Sequence, residues 1–211
     1  MAIGPFVRQM LGPLERPVSN LYRSIFIDIK ALATQIKKWI PELNNIIELG
    51  CGEGAVTECL VKQYPDAYIT GIDITPKVGR MFQGDLTHVT FKQQTIQNFS
   101  AENLASFDLL VISDVMHHIP WQMHQEILIN ARKVVKLGGY IVLKDWERTP
   151  TPIHLLCYLF DRYITGDLVR YKTAAELRNL IEDVFGSNCI QAEKRIRPWS
   201  NNIAFLILLQ S

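Results

Sequence analysis

The stretch IIELGCGEG, residues 46–54, decides the fold because it joins a short apolar run to a glycine-rich loop. Ile46–Leu49 is predicted to form a strand, and a helical pattern begins at about Ala55. Glycines at alternate positions let the loop turn sharply and let a ligand approach the backbone. The stretch therefore predicts a ligand site between a strand and a helix, where backbone N–H groups face the crevice.

Strand and helix patterns alternate along the rest of the chain. Helices are predicted over 20–40, 55–63, from Pro120 to about Lys136 with Gly138 as its cap, and after the capping box Thr173–Glu176. Further strands are predicted over 68–74, 89–93, 107–113, 140–144, 190–195 and 203–209. The run FDLLVIS is apolar throughout, as in a parallel strand covered on both faces. The pattern predicts a doubly wound α/β sheet that ends in an antiparallel pair.

Composition excludes several functional classes. The 22 basic and 21 acidic residues nearly cancel, so a broad field that attracts nucleic acid is not expected. The four cysteines form no metal-binding spacing, which predicts reduced thiols in a cytoplasmic protein and no metal site. The apolar run 204–209 is far too short to span a bilayer.

Two acidic residues suggest what the glycine loop binds. The loop alone would also suit a dinucleotide, since Gly50, Gly52 and Ala55 satisfy G-x-G-x-x-A. Glu48 would repel a pyrophosphate, whereas it would help to neutralise the ammonium and sulfonium of S-adenosylmethionine. Asp73 ends the second strand, where a carboxylate can accept hydrogen bonds from both hydroxyls of a ribose or can merely cap the turn that follows. The charges favour S-adenosylmethionine.

Four segments together resemble a known family. IELGCGEG, GIDI, FDLLVISDVMHHIP and KLGGYIVLKD, in this order over residues 45–145, are similar to the motifs of class I S-adenosylmethionine-dependent methyltransferases. They are most similar to the small-molecule group that carries D-V-x-x-H-I after the fourth strand. The resemblance implies a Rossmann-like, seven-stranded sheet of order 3-2-1-4-5-7-6 with strand 7 antiparallel. It implies methyl transfer to an oxygen, nitrogen or carbon atom of a small molecule, with S-adenosylhomocysteine as the second product.

The resemblance also implies which residues hold the cofactor. Those expected around its methionine part are Glu48, Gly50, Cys51 and Gly52. Asp73 is expected at the ribose, and the adenine is expected among Ile74, Thr95 and Ile96. Thr95 departs from the family pattern, because many relatives have an acidic residue that contacts the adenine amino group. Leu137 departs as well, where proline is usual, but it affects only a turn.

The segment after the fourth strand carries the candidate catalytic residues. Ser113 and Asp114 leave this strand at its carboxyl end and could contact cofactor or substrate. His117 and His118 follow, and an imidazole is a suitable base near neutral pH. We prefer His118 as the base. The alternative is that both histidines only shape the loop, since methyl transfer can proceed largely by holding the reacting atoms in line. His88 and His124 are expected to be solvated.

The remaining candidates concern the substrate. The chain is expected to form one methyltransferase domain over 1–211, with the helix 20–40 and the insertion 147–172 as a substrate lid. The insertion is rich in apolar and aromatic residues, which indicates an organic substrate with apolar surface. The candidate substrate contacts are Tyr22, Asp145, His154, Tyr158, Arg162 and Tyr171.

Three other functions stay open. A nucleic-acid methyltransferase is disfavoured, because no Asn/Asp-Pro-Pro-aromatic motif follows the fourth strand. A dinucleotide-dependent oxidoreductase is disfavoured by Glu48. A non-catalytic subunit that binds S-adenosylmethionine or activates a partner is compatible with the glycine loop, which indicates binding without proving turnover.

Overall fold

In the computed structural model, which describes residues 25–165 and 168–210, seven strands form one mixed sheet. The strands are β1 (Asn45–Leu49), β2 (Tyr68–Asp73), β3 (Val89–Gln93), β4 (Phe107–Ser113), β5 (Val135–Trp146), β6 (Ile190–Arg195) and β7 (Asn202–Leu208). Their order is β3-β2-β1-β4-β5-β7-β6. β7 runs antiparallel to β5 and β6, and the other neighbouring pairs are parallel. The predicted fold, strand order and antiparallel strand are confirmed.

Helices cover both faces of this sheet. They are α1 (Ile29–Trp39), α2 (Ala55–Gln63), α3 (Ile96–Glu102), α4 (His124–Val134), α5 (Pro152–Phe160) and α6 (Ala174–Phe185). The 3₁₀ turns Met116–His118 and Trp121–Met123 follow β4, and a π-helical turn, Asp161–Thr165, follows α5. None of the helices in the described part of the chain is both long and apolar enough to cross a membrane.

Neighbouring residues of each central strand pack into different cores. In β1, Ile46 packs in a cluster with Leu32 of α1 and Leu60 of α2. Its neighbour Ile47 packs in a cluster on the other face, with side chains of α3, α4 and α6 that include Leu128. Because side chains alternate along a strand, an unbroken apolar run fills both cores. A third, smaller cluster lies under α5 and contains Phe26, Trp146, Cys157, Val169 and Tyr171.

The helix predicted over 20–40 is interrupted in the structure. Residues 20–24 lie outside the described residues, and 27–28 are not helical. α1 begins only at Ile29, because the Asp28 carboxylate accepts a hydrogen bond from the Ala31 N–H as an N-cap. The prediction of one continuous helix is wrong over this stretch.

The predicted helix from Pro120 to Lys136 is also too long. Pro120 is extended, a 3₁₀ turn follows it, and α4 begins only at His124. At the other end the chain becomes extended at Val135 and enters β5. Gly138 therefore caps no helix. It lies inside β5 with φ +76°, a conformation that L side chains rarely adopt.

Candidate active site

The glycine loop is attached to the end of β2. The Gly52 N–H donates to Asp73 Oδ2 at 2.8 Å, and the Thr75 N–H donates to Asp73 Oδ1 at 2.8 Å. Asp73 thus caps the turn after β2, as the alternative interpretation expected, and also orders the loop. Each carboxylate oxygen has a second lone pair for a ribose hydroxyl. A Cβ added at Gly52 would have Asp73 Oδ2, 3.9 Å away, as its nearest neighbour, so the loop leaves open space there.

Glu48 lies buried beneath the loop. The Thr57 hydroxyl of α2 donates to its carboxylate at 2.5 Å. Burial, and to a smaller extent the negative charge of Asp73, raises the pKa of Glu48 to about 7. A cation bound above the loop would be stabilised by both carboxylates, whereas a phosphate would be repelled.

The residues around these acids fit S-adenosylmethionine. Ile74 is 71% exposed next to Asp73 and offers an apolar surface for an adenine. Cys51 and Ile96 are buried, so their side chains shape the loop and the start of α3 from below. The Thr95 hydroxyl accepts the Asn98 N–H as the N-cap of α3. Two carboxylates, an open glycine loop and an exposed apolar side chain therefore suit a ligand that joins a cationic amino acid to a nucleoside.

A buried histidine–carboxylate pair lies where β4 and β5 end. His117, in the 3₁₀ turn after β4, is hydrogen-bonded through Nδ1 to Asp145 Oδ1 near the end of β5. Burial alone would lower the pKa of His117, but the surrounding carboxylates, chiefly Asp145, together outweigh burial, and the pKa lies above its ordinary value. Burial would likewise raise the pKa of Asp145, but the nearby His117 makes the net shift downward. The pair leaves Nε2 of His117 as the nitrogen that can accept a further proton.

A buried ammonium neutralises the neighbouring acid. Lys144 of β5 has no exposed side-chain surface, and its Nζ lies 2.5 Å and 2.7 Å from the two oxygens of Asp114. The Ser113 hydroxyl donates to the same carboxylate at 3.1 Å. Asp114, His117 and Asp145 present ligand-type atoms within 4.8 Å of one another, a spacing that would also suit a metal ion. Because Lys144 already binds Asp114, we assign no metal here, and the expected absence of a metal site stays a prediction.

The structure distinguishes the two adjacent histidines. His117 is 5% exposed and paired with Asp145, whereas His118 lies at the surface of the same turn. Their ring centroids are 4.1 Å apart. Asp145, predicted as a substrate contact, is 3% exposed and bonded to His117, which suits orientation of the imidazole. His124 is not solvated as expected. It is 1% exposed, and its Nε2 is 2.9 Å from the Ile119 carbonyl oxygen.

The predicted substrate residues are only partly brought together. A cavity of about 520 Å³ opens beside the first turns of α5, and both His154 and Tyr158 line it. Its lining residues are Thr149, Pro150, Thr151, Pro152, His154, Leu155 and Tyr158. Arg162 is exposed and is not among them, and Tyr171 is buried beneath α5. Tyr22 lies outside the described residues.

Comparison with known proteins relates the central motifs to a known family. Residues 46–139 match the family model described as a methyltransferase domain. Over this segment, which is somewhat under half of the chain, the protein is similar to the S-adenosylmethionine-dependent methyltransferases. The predicted family, enzyme class and cofactor are thereby confirmed. The matched segment of this methyltransferase includes the glycine loop, Asp73 and the 3₁₀ turn Met116–His118, here called the histidine turn.

Individual relatives agree with the family match. The ubiquinone biosynthesis O-methyltransferase of Xanthomonas oryzae pv. oryzae is 28% identical over 175 residues, which span 74% of this chain and 68% of the relative. The S-adenosylmethionine-dependent methyltransferase SibL has a TM-score of 0.74 at 15% identity, covering 94% of this chain and 59% of SibL. The 1,6-didemethyltoxoflavin-N1-methyltransferase of Burkholderia thailandensis has a TM-score of 0.66 at 14% identity, covering 100% of this methyltransferase and 92% of that chain. Both structures share the fold.

Two charged residues of the site escaped the sequence reasoning. Lys144 follows the apolar strand residues YIVL, and Asp161 directly follows the apolar helix segment PIHLLCYLF. Both are buried in the structure. A single charged residue in an apolar segment rarely stays buried without a partner, so each could have been flagged as half of an ion pair or hydrogen-bonded network.

Proposed function

We propose that this methyltransferase transfers a methyl group from S-adenosylmethionine to a hydroxyl oxygen of a small organic molecule, with His117 as the base. The observation that carries the proposal is the buried His117–Asp145 pair at the carboxyl ends of β4 and β5. These strand ends lie beside the glycine loop after β1, because β1 pairs with β4 and β4 pairs with β5 in parallel. The carboxyl edge of such a sheet is where ligands of doubly wound folds bind.

A hydroxyl needs such a pair more than an amine does. A neutral amine already offers a lone pair, whereas a hydroxyl becomes strongly nucleophilic only as its proton leaves. Asp145 holds Nδ1 of His117, fixes the tautomer and stabilises the imidazolium that forms. A buried histidine with a carboxylate behind it therefore favours oxygen over nitrogen as the methyl acceptor.

The protein's contribution is positioning and proton removal. When bound, S-adenosylmethionine supplies a methyl group on a positively charged sulfur. Asp73 and the glycine loop would hold the ribose and methionine parts, and Glu48 would contribute negative charge beneath them. Nε2 of His117 takes the hydroxyl proton as the oxygen–carbon bond forms, and the carbon–sulfur bond breaks with its electron pair passing to sulfur. Neutral S-adenosylhomocysteine, the methyl ether and a protonated His117 balance the step.

The substrate is proposed to carry an uncharged, partly apolar portion. The cavity beside α5 is lined by proline, leucine, tyrosine, threonine and histidine side chains, without a carboxylate or ammonium group. Such a lining favours an apolar ring or chain over a phosphate or sugar acid. The curated relative named as a ubiquinone biosynthesis O-methyltransferase supports oxygen as the acceptor atom.

Product formation with matched histidine variants tests the proposal. The protein would be incubated with S-adenosylmethionine and a panel of phenols, primary amines and carbon acids, and S-adenosylhomocysteine would be measured by mass spectrometry. We expect turnover with a phenolic hydroxyl. His117→Gln should lower kcat by roughly 100-fold or more, the usual range for loss of a general base. His118→Gln should lower it less than threefold, and His88→Gln, at the loop before β3, serves as the remote control.

Other outcomes would support the competing functions. A large loss in His118→Gln together with an active His117→Gln would return the role to His118. Turnover of amines alone would contradict the hydroxyl proposal. Calorimetry with S-adenosylmethionine, S-adenosylhomocysteine and NADH would distinguish a methyltransferase or a non-catalytic binding subunit from a dinucleotide-dependent oxidoreductase. Binding of both sulfur ligands without turnover of any acceptor, RNA included, would favour a non-catalytic, partner-activating subunit.

A further inference from the structure

One face of α5 and the turn after it contacts the side chain of Tyr171. The hydroxyl of Tyr171 donates to Asp161, the first residue of the π-helical turn. Cys157 Sγ lies 3.6 Å from the same hydroxyl and 3.7 Å from Asp161 Oδ2. The His154 ring meets the Tyr171 ring edge-on at 5.2 Å. Positions 154, 157 and 161 fall on one helical face, so the contact continues along the helix and into the turn.

Tyr171 contacts the candidate base on its other side. Its ring stacks on the His117 imidazole with centroids 4.8 Å apart and planes at 26°. The next residue back, Arg170, donates its backbone N–H to the His117 carbonyl at 2.9 Å. Tyr171 is 7% exposed, and Asp161 is 4% exposed. The order from the surface inward is therefore α5, Tyr171, His117 and Asp145.

We propose that Tyr171, anchored by Asp161, is a positioning residue that couples α5 to His117. The inference rests on the proposed function of His117 as the base and adds how the helix that lines the cavity acts on it. Through the stack, Tyr171 restricts rotation of the imidazole, while Asp145 holds its Nδ1. A ligand that displaces His154 or Tyr158 moves α5, and Tyr171 passes that displacement to the His117 ring.

The charges around His117 give this coupling a measurable consequence. Three carboxylates raise the pKa of His117 against burial: Asp145 from β5, Asp114 at the end of β4 and Asp161 from the turn after α5. Lys144 neutralises Asp114. The remaining neighbours facing the imidazole are the His118 ring and the Tyr171 ring, and the Arg170 side chain is exposed. Removing the Asp161 charge should therefore lower the pKa of His117, while an asparagine there can still accept from the Tyr171 hydroxyl.

The test is an NMR titration of the ¹⁵N-histidine-labelled protein, which needs no methyl acceptor. The chain has five histidines, and His117→Gln assigns the signal of His117. Asp161→Asn keeps an acceptor for the Tyr171 hydroxyl but removes the charge. We expect the titration midpoint of His117 to fall. Tyr171→Phe keeps the ring but removes the donor, and we expect amide exchange in α5 to accelerate at least about tenfold.

Matched variants and a second readout make the proposal refutable. Tyr163→Phe, at a tyrosine that is 66% exposed in the π-helical turn, and Asp183→Asn, on the exposed side of α6, should leave the His117 titration unchanged. Should Tyr171→Phe fail to fold, Asp161→Asn alone decides. An unmoved His117 midpoint in folded Asp161→Asn overturns the coupling.

Failure of the coupling is distinguishable from failure of the proposed function. Formation of S-adenosylhomocysteine with an unmoved His117 titration keeps the function and refutes the coupling. A shifted titration in a protein that methylates no acceptor keeps the coupling and refutes the function. With an acceptor that turns over, Tyr171→Phe should lower kcat more than it changes KM, and S-adenosylmethionine affinity should stay within about twofold.

Discussion

Lys144 and Asp114 form an ion pair in which the ammonium has no exposed side-chain surface and the carboxylate keeps 18% of its own, with both carboxylate oxygens within 2.7 Å of Nζ. The pair joins the end of β4 to β5. The pair also bears on which carboxylate is hydrogen-bonded to His117. Because Lys144 neutralises Asp114, Asp145 is the carboxylate that bonds directly to His117.

Lys144→Met should destabilise the fold strongly. The substitution leaves Asp114 without its buried counter-ion, and breaking a buried pair from one side costs about 3 kcal/mol or more. Urea denaturation followed by circular dichroism would measure the free energy of unfolding. Lys136→Met breaks the Lys136–Asp108 pair, where the lysine side chain is 42% exposed, and should cost less than about 1 kcal/mol. Similar losses in both variants would contradict the importance of burial at Lys144.

Asp145→Asn should change both the rate and its pH dependence. The carboxylate raises the pKa of His117 against burial, so its removal lets burial lower that pKa. With His117 as the proposed base, methylation requires its unprotonated form, so the acidic limb of the rate profile should move to lower pH. The maximal rate should fall by about 100-fold, because the imidazole loses its orienting partner. A profile of kcat against pH checks both effects, and an acidic limb that stays in place would remove His117 as the base.

Asp73→Ala should weaken S-adenosylmethionine binding by about 100-fold. The carboxylate orders the glycine loop through the Gly52 N–H and is the expected acceptor for the ribose hydroxyls. Hydrogen bonds to a charged group contribute roughly 1.5–3 kcal/mol each, and about 2.7 kcal/mol corresponds to that change in Kd. Isothermal calorimetry measures it. Asp85→Ala removes an exposed acid that caps only Thr87 and should leave Kd unchanged. Full affinity in Asp73→Ala would exclude Asp73 from the ribose site.

The affinity for S-adenosylmethionine should rise with pH through about 7. Burial and Asp73 place the pKa of Glu48 at about 7 in the free protein. A bound cation favours the charged carboxylate and lowers that pKa, so binding releases a proton, and affinity levels off above pH 7. Calorimetry in buffers of different ionisation enthalpy would count the proton. Glu48→Gln should bind more weakly and lose this proton release, and an unaltered release in that variant would assign it to another group, such as His117.

Much of the fold could be read from local patterns. β3, β4, β6 and α2 have the predicted bounds, because each is an apolar or amphipathic run bounded by loop residues. The capping box is present with both of its hydrogen bonds, from Thr173 and from Glu176. Gly138 misled the prediction, because a glycine at positive φ serves a kink in a strand as well as a helix end.

The position of the glycine-loop residues could be predicted better than that of the histidines after β4. Glu48, Gly52 and Asp73 lie next to predicted strand ends, and their chemistry follows from that position. The pairing of His117 with Asp145 spans 28 positions of sequence and depends on the register between β4 and β5. No local pattern distinguishes His117 from His118, so the sequence could not decide which of them turns inward. His124 was likewise expected to be solvated, but its helix begins four residues after the expected start at Pro120.

Gly50 of the glycine loop packs directly against Val115, the residue before the histidine turn. A Cβ added at Gly50 would lie 2.3 Å from Cγ2 of Val115, the residue that precedes the turn, and Gly50 also has φ +76°. Val115→Ala would remove the two methyl contacts but would keep the Val115 Cβ position at 3.3 Å and the backbone strain of about 1–2 kcal/mol. We therefore expect the effect of a substitution at position 50 to depend on the residue at position 115. A selection for active chains with alanine at 50 would recover second-site changes at 115, and even these suppressors would restore only part of the original fitness.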